Sequence, residues 1–300
     1  MKFVIFIVLL NWWIGLSWAK ENGFSSCLRD ILKTPFEYDY RINLDQAFKK
    51  IQDLKYKYRN QLQTKILGYY DGEPIYRIDM PGTGASERKK VVITAGVHGN
   101  EAIGVEVSLE LIEHLVFDSK LRNTYDFVFF PALNPGGLRN YKRAMNNKID
   151  LQDTWVKGKE GKIAKMVKKS VTGEKIDMVM DLHEIVSQDK FLAIRTKNNN
   201  DDLIKRAFTE IPVEFALKSA SGTYPQPLYS ISKSNEVVYI LNAPGDAVSM
   251  NVGALKNYFN EVFNVEHSYA LEAPKRMKLN EKREIYVKLV KGFLNQFSGK

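Results

Sequence analysis

The stretch Val91-Val92-Ile93-Thr94-Ala95-Gly96-Val97-His98-Gly99-Asn100-Glu101 narrows the possible folds most, because an apolar run stops abruptly at a histidine and a glutamate three residues apart. β-Forming residues punctuated by glycine read as a buried central strand, and the helical pattern from Glu101 makes this a strand–loop–helix unit. Polar groups at the carboxyl end of such a strand sit where open α/β sheets place their chemistry. Imidazole nitrogen with carboxylate oxygen suits zinc, and a catalytic zinc keeps three protein ligands and one open position. A third ligand is offered by Met178-Val179-Met180-Asp181-Leu182-His183-Glu184, a second apolar run ending in a histidine. Taken alone, His-x-x-Glu also fits an ordinary polar loop.

Met1-Lys2 precedes an apolar run from Phe3 to Leu10 that continues to Ser17-Trp18-Ala19 before Lys20-Glu21. Residues 1–19 therefore read as a secretory signal peptide with small residues at the cleavage position; the alternative is an uncleaved anchor, interrupted by Asn11 and Gly15. The expected location is periplasmic or extracellular. Residues 20–300, about 280 residues, suit one catalytic α/β domain. Removal of Lys2 with the signal leaves 43 basic against 35 acidic residues, formally +8, which favours an anionic neighbour. No nucleic-acid-binding motif is present, so nucleic acid is not an expected partner, and neither is a membrane once the signal is removed. Cys27 is the sole cysteine, so no intramolecular disulfide forms. Phe24-Ser25-Ser26-Cys27 faintly resembles a lipid-attachment site, but Lys20 and Glu21 separate it from the apolar run.

Asn43-Leu44-Asp45-Gln46 resembles a capping box for a helix to about Gln61, with Leu44, Phe48, Ile51, Leu54 and Tyr58 on one face. Runs 65–70 and 74–79, split by Asp71-Gly72, predict an edge hairpin beside the Val91 strand. A helix is expected from Glu101 to about Phe117, with His114 on its surface. Residues 126–133 form a third buried strand, and Asn134-Pro135-Gly136-Gly137 turns the chain out of it. A lysine-rich helix lies between Trp155 and Ser170, reading as a solvated face. Further on come a strand at 191–194, a helix capped by Asn198 to Asp201, an irregular cleft rim from Ser219 to Ser230, a last strand from His267 to Pro274, and a closing helix from about Asn280 to Phe297.

In this order, His-x-x-Glu, Asn-Pro-x-Gly, an arginine, an Asp-Leu-x-x-x-aromatic segment, a strand-end histidine and a late strand-end glutamate resemble the zinc carboxypeptidase superfamily. Local matches are Arg143-Ala144-Met145-Asn146-Asn147-Lys148-Ile149-Asp150-Leu151, Leu182-His183-Glu184, Ala243-Pro244-Gly245 and Leu271-Glu272-Ala273-Pro274. These are most similar to the branch of murein peptide amidase A type, which hydrolyses the bond between D-glutamate and meso-diaminopimelate. The resemblance implies a three-layer α/β fold with a mixed, mostly parallel sheet flanked by helices. It implies one zinc ion on His98, Glu101 and His183, with Asp150 as carboxylate partner of His98. Arg143 would stabilise the oxyanion, with Arg139 a possible substitute, and Glu272 would move the proton between water and leaving amine.

The chain departs from the family at Gln152-Asp153, where an Asn-Arg pair usually grips the terminal carboxylate of the substrate. A carboxylate removes the guanidinium fork and repels an anion. Asp153, with Gln152, is therefore expected to meet an ammonium or amide group; alternatively Asp153 points away. The resulting expectation is an exported, monomeric zinc amidase acting on murein peptides. The alternatives are a small-molecule deacylase of the succinylglutamate desuccinylase and aspartoacylase kind, and a non-catalytic murein-binding protein on the same fold.

Overall fold

The computed structural model describes residues 40–84, 87–186, 189–196, 202–216, 227–231, 236–240, 246–249 and 254–298. The expected signal peptide, Cys27, the Asn198-to-Asp201 cap and Ala243-Pro244-Gly245 lie outside the described residues. Asn43 Oδ1 accepts the Gln46 N–H at 3.1 Å and opens α1 (Leu44–Lys57). Leu44, Ala47, Ile51 and Leu54 are its buried stripe. The helix ends before Gln61 because the Gln61 and Leu62 N–H groups both turn back to the Tyr58 carbonyl.

Strands β1 (Gln63–Tyr70) and β2 (Glu73–Met80) form a hairpin whose turn residues Asp71 and Gly72 take φ of 54° and 80°. Two consecutive left-handed residues give the turn whose twist matches that of the strands. Then follow β3 (Lys89–Ala95), α2 (Ile103–Val116), α3 (Ser119–Thr124), β4 (Tyr125–Phe130) and α4 (Pro135–Asn140). The Asn134-Pro135 segment is thus a helix start as well as a turn: Asn134 Oδ1 caps Gly137 N–H at 2.9 Å, with proline in the first turn, where its missing N–H costs nothing. Next come α5 (Lys162–Val171), β5 (Met178–Ile185), β6 (Leu192–Arg195), α6 (Asp202–Phe208), β7 (Pro227–Ile231), β8 (Glu236–Ile240), β9 (Asp246–Ser249), α7 (Leu255–Phe263), β10 (His267–Pro274) and α8 (Leu279–Ser298). Residues 227–230 of the stretch expected to be irregular are therefore strand. The lysine-rich helix is confined to residues 162–171.

Among the described residues the strands form one mixed sheet in the order β1-β2-β4-β3-β5-β10-β6-β9-β8-β7. β4, β3, β5 and β10 run parallel at its centre, with antiparallel pairs at both margins. The hairpin lies at an edge as expected, but beside β4 rather than β3. Both sides of β3 are already taken, by β4 and β5.

Helices cover both faces of the sheet. On one face, Val91, Ile93, Ala95, Met178, Met180, Leu182, Tyr269 and Leu271 join a core that includes buried residues of α1, α2 and α8. On the other, Val92, Val128, Phe130 and Val179 pack with Ile163 and Val167 of α5, Leu255, Tyr258 and Phe259 of α7, and Trp155. Each fully buried aliphatic side chain contributes about 1.5–3 kcal/mol. Burial therefore fixes the strand register, because a slip of one residue would send these side chains to opposite faces. That register carries Asp181 and His183 onto the α5–α7 face, two and four residues after Val179. No helix of the described residues is long and apolar enough to cross a membrane.

Candidate metal centre

β3 stops at Ala95, and Gly96, at φ 67°, turns the chain into the loop that carries His98 and Glu101. Asn134 holds this loop from outside: its Nδ2 donates to the Val97 carbonyl at 3.3 Å and to the Arg143 carbonyl at 3.1 Å. Gly99 runs so close to α4 that an added Cβ would lie 1.9 Å from the Gly137 carbonyl carbon. No side chain fits there, which explains the glycine between His98 and Glu101. β5 brings in His183 beside the loop.

The three side chains meet in a buried cluster. His98 Nδ1 lies 2.7 Å from Glu101 Oε1, and His183 Nδ1 lies 2.8 Å from Glu101 Oε2. One donor atom from each residue falls within 4.8 Å of the others. Both imidazoles thus aim Nδ1 at one carboxylate and keep Nε2 for a second partner. His183 Nε2 is 2.7 Å from Asp181 Oδ2, and Thr94 donates its hydroxyl to Asp181 Oδ1 at 2.6 Å. His98 Nε2 is 3.4 Å from Asp150 Oδ1, an ion-pair separation without hydrogen-bond geometry. Two nitrogens and a carboxylate, with a further carboxylate near the far side of each ring, match the donor chemistry of zinc.

Electrostatics bind the cluster together. Burial pushes the Glu101 carboxyl up, but His98 and His183 outweigh it and hold that carboxyl well below the ordinary range. Burial lowers both histidines, and the carboxylates around them raise them by more, His183 the further. Asp150 likewise stays below the usual carboxylate range, since His98 and Arg143 overcome its desolvation. Both histidine shifts favour the protonated rings, so a cation entering this donor set would compete with protons.

Around this centre stand the other expected site residues. Arg143 donates Nε to Asp150 Oδ2 at 2.8 Å and sets Nη1 3.4 Å from Glu101 Oε1. Its side chain is 35 % exposed, so the guanidinium is anchored yet reachable. Burial works against its charge, but Glu101, Asp150 and Glu272 outweigh that. Glu272, half-buried, stands opposite His183 in the parallel β5–β10 register and shares its face of the sheet. Asp150 also accepts the Gln152 N–H at 3.0 Å and so starts a short 3₁₀ turn, Leu151–Thr154. Gln152 is half-buried on that turn and Asp153 exposed.

Other residues have different work. Arg139 is not a substitute for Arg143: its Nε bonds Glu73 at 2.5 Å and its Nη2 bonds Asp45 at 2.8 Å, tying α4 to the hairpin and to the start of α1. His114 is a surface residue 3.6 Å from Glu110. His267 packs edge-on to Phe297 with Nδ1 3.1 Å from the Tyr269 hydroxyl. Sequence reasoning missed Thr94, although strand alternation puts it on the face of Val92. It also missed Tyr286 of α8, whose hydroxyl bonds the His183 N–H at 3.0 Å and the Leu271 carbonyl. Nothing in the local pattern around Tyr286 signals that contact.

A buried His-Glu-His donor set at the carboxyl ends of parallel strands, with an arginine and a glutamate beside it, defines a mononuclear metallohydrolase. The chain belongs to the zinc carboxypeptidase family, whose model matches residues 48–294. It is accordingly a zinc metallopeptidase, and the cluster fits the ion on which that family depends.

Solved structures agree on the fold. The metallo-carboxypeptidase of Burkholderia cenocepacia superposes with TM-score 0.64 at 14% identity, over 87% of this chain and 69% of its own. That of Pseudomonas aeruginosa gives 0.62 at 14%, over 87% and 69%. Carboxypeptidase A of Helicoverpa armigera gives 0.63 at 13%, over 87% and 75%. No curated protein matches the sequence significantly.

Proposed function

We propose that the chain is an exported amidase that cleaves murein peptides at the γ-D-glutamyl–meso-diaminopimelate bond or a neighbouring bond. The observation that carries the substrate reading is Asp153, an exposed carboxylate one turn from Asp150, where the wider family usually presents a guanidinium. A carboxylate there repels the free terminal carboxylate that a simple carboxypeptidase grips, and attracts an ammonium such as that at the far end of diaminopimelate. The formal +8 charge of residues 20–300 and the local resemblance around Arg143 to Leu151 support the same substrate.

In this reading His98, Glu101 and His183 hold zinc, which when bound lowers the pKa of water and polarises the scissile carbonyl. Glu272 accepts the proton of the attacking water and returns it to the leaving nitrogen. Arg143, kept in place by Asp150, donates N–H to the oxygen on which charge develops. Donors prearranged for that oxygen favour the transition state over the bound substrate. Gln152 and Asp153 orient the peptide beyond the scissile bond.

The test is mass spectrometry of defined murein tri-, tetra- and pentapeptides incubated with zinc-loaded protein, alongside Glu272→Gln. Release of a diaminopimelate-containing fragment by the parent alone is the expected result. Loss of a single terminal residue would make the protein a plain carboxypeptidase and overturn the role given to Asp153. No cleavage, with zinc bound, would move the assignment to a murein-binding protein, or to a small-molecule deacylase if N-succinylglutamate or N-acetylaspartate were hydrolysed instead.

A further inference from the structure

Glu184 follows His183 directly, is buried, and has no part in the chemistry above. Its carboxylate is used twice. Oε1 accepts the ammonium of Lys282 at 2.6 Å, a pair with side chains 2% and 1% exposed, and Oε2 accepts the N–H of Ile103, the first residue of α2, at 3.2 Å. Its own main-chain N–H donates to Glu101 Oε2 at 3.2 Å. Lys282 comes from α8 and also donates to the Lys275 carbonyl at 3.2 Å, while the Lys275 N–H bonds the Ile185 carbonyl at 2.9 Å.

Two of the three donor side chains come from the loop between β3 and α2, and the third from the end of β5. Glu184 fastens the end of that loop to that strand end at two points, by its main chain to the Glu101 carboxylate itself and by its side chain to the start of α2. Lys282 holds the Glu184 carboxylate in place through their 2.6 Å contact. A buried ion pair is a poor device for stability alone, since well-packed neutral groups of similar volume usually serve as well or better. We propose that Glu184 and Lys282 are positioning residues for the metal centre, setting the distance between the His98–Glu101 loop and His183.

The inference rests on the assignment of zinc to His98, Glu101 and His183, and the experiment separates the two. Zinc affinity by chelator competition and melting of the metal-free protein are measured for the parent, His183→Ala and the double variant Glu184→Gln/Lys282→Met. The double variant removes both charges together and so leaves neither buried alone. It should melt close to the parent without metal, yet bind zinc about 10- to 100-fold more weakly, the usual cost of losing an outer support of a metal ligand. Zinc affinity equal to the parent's would show a pair serving the fold only and overturn the proposal. If the double variant does not fold, Glu184→Asp decides. It keeps the charge but draws the carboxylate back from Ile103, so weakened zinc binding supports the positioning role and unchanged binding refutes it. If the parent binds no zinc, or His183→Ala binds it as well as the parent, the metal assignment itself is wrong and the proposal falls with it.

Discussion

The two histidines of the cluster present the same nitrogen to the same carboxylate, yet they are supported in opposite ways. His183 stands on a central strand. Its carboxylate partner Asp181 lies two residues earlier on that strand, locked by Thr94 of the adjacent strand at 2.6 Å. His98 stands on a loop, and its partner Asp150 comes from a distant turn, at 3.4 Å, and is shared with Arg143. One side is preset by sheet register and sealed from solvent. The other links His98 through Asp150 to the half-buried Arg143, which the proposed mechanism sets against substrate. Under the proposed mechanism the difference is a division of labour: the His183 side would fix the position of the ion, while the His98 side would couple it to catalysis.

Two parallel substitutions test that division most severely. Asp150→Asn should lower zinc affinity about 10- to 100-fold. It should also free Arg143 and reduce kcat further, by up to the ~10²–10³-fold that a lost oxyanion donor costs. Asp181→Asn should show the first loss without the second. Chelator competition with kcat at saturating zinc separates them, and equal kcat in the two variants would erase the distinction. Arg143→Lys should then reproduce only the kcat part, ~10²-fold or more, because an ammonium has no planar fork to hold Asp150 while serving the substrate.

A smaller effect is expected from pH. Both histidines hold protons above the ordinary imidazole value of 6.5, because the carboxylates around them outweigh burial. Raised pKa values mean that protons compete with the metal on the alkaline side of 6.5, so zinc affinity should keep rising as pH increases there. Calorimetry in buffers of different ionisation enthalpy should show proton release on binding. A flat profile above pH 6.5 would mean that the rings are already neutral. The smallest effect is that of Thr94→Val, which leaves Asp181 Oδ1 without its hydroxyl donor. It should lower stability by about 1–3 kcal/mol with little change in zinc affinity, read from denaturant melts.

The His183 side was legible in the sequence and the His98 side only partly. Strand periodicity alone put Asp181 on the face of His183, and the apolar runs ending at His98, His183 and Glu272 marked three adjacent central strands. Asp150 and Arg143 entered through a resemblance between short motifs, because contacts between a loop and a distant turn leave no periodic trace. The motif favoured Arg143, but Arg139 stayed open as a substitute until the structure gave it its partners Asp45 and Glu73. The hairpin was recognisable from Asp71-Gly72, but its neighbour was not, since which edge remains open depends on the whole strand order. Lys282 is the clearest case of hidden information. A lysine among polar neighbours at a helix start reads as solvent-facing, and Glu184, some hundred residues earlier, together with the Lys275 carbonyl makes its burial tolerable.

The most direct test is diffraction from zinc-loaded crystals with anomalous data at the zinc edge. One peak is predicted, about 2.0–2.2 Å from His98 Nδ1, His183 Nδ1 and the Glu101 carboxylate. The Nε2 atoms should remain on Asp150 and Asp181. A peak bound elsewhere, or none at this cluster under saturating zinc, would contradict the account at its base.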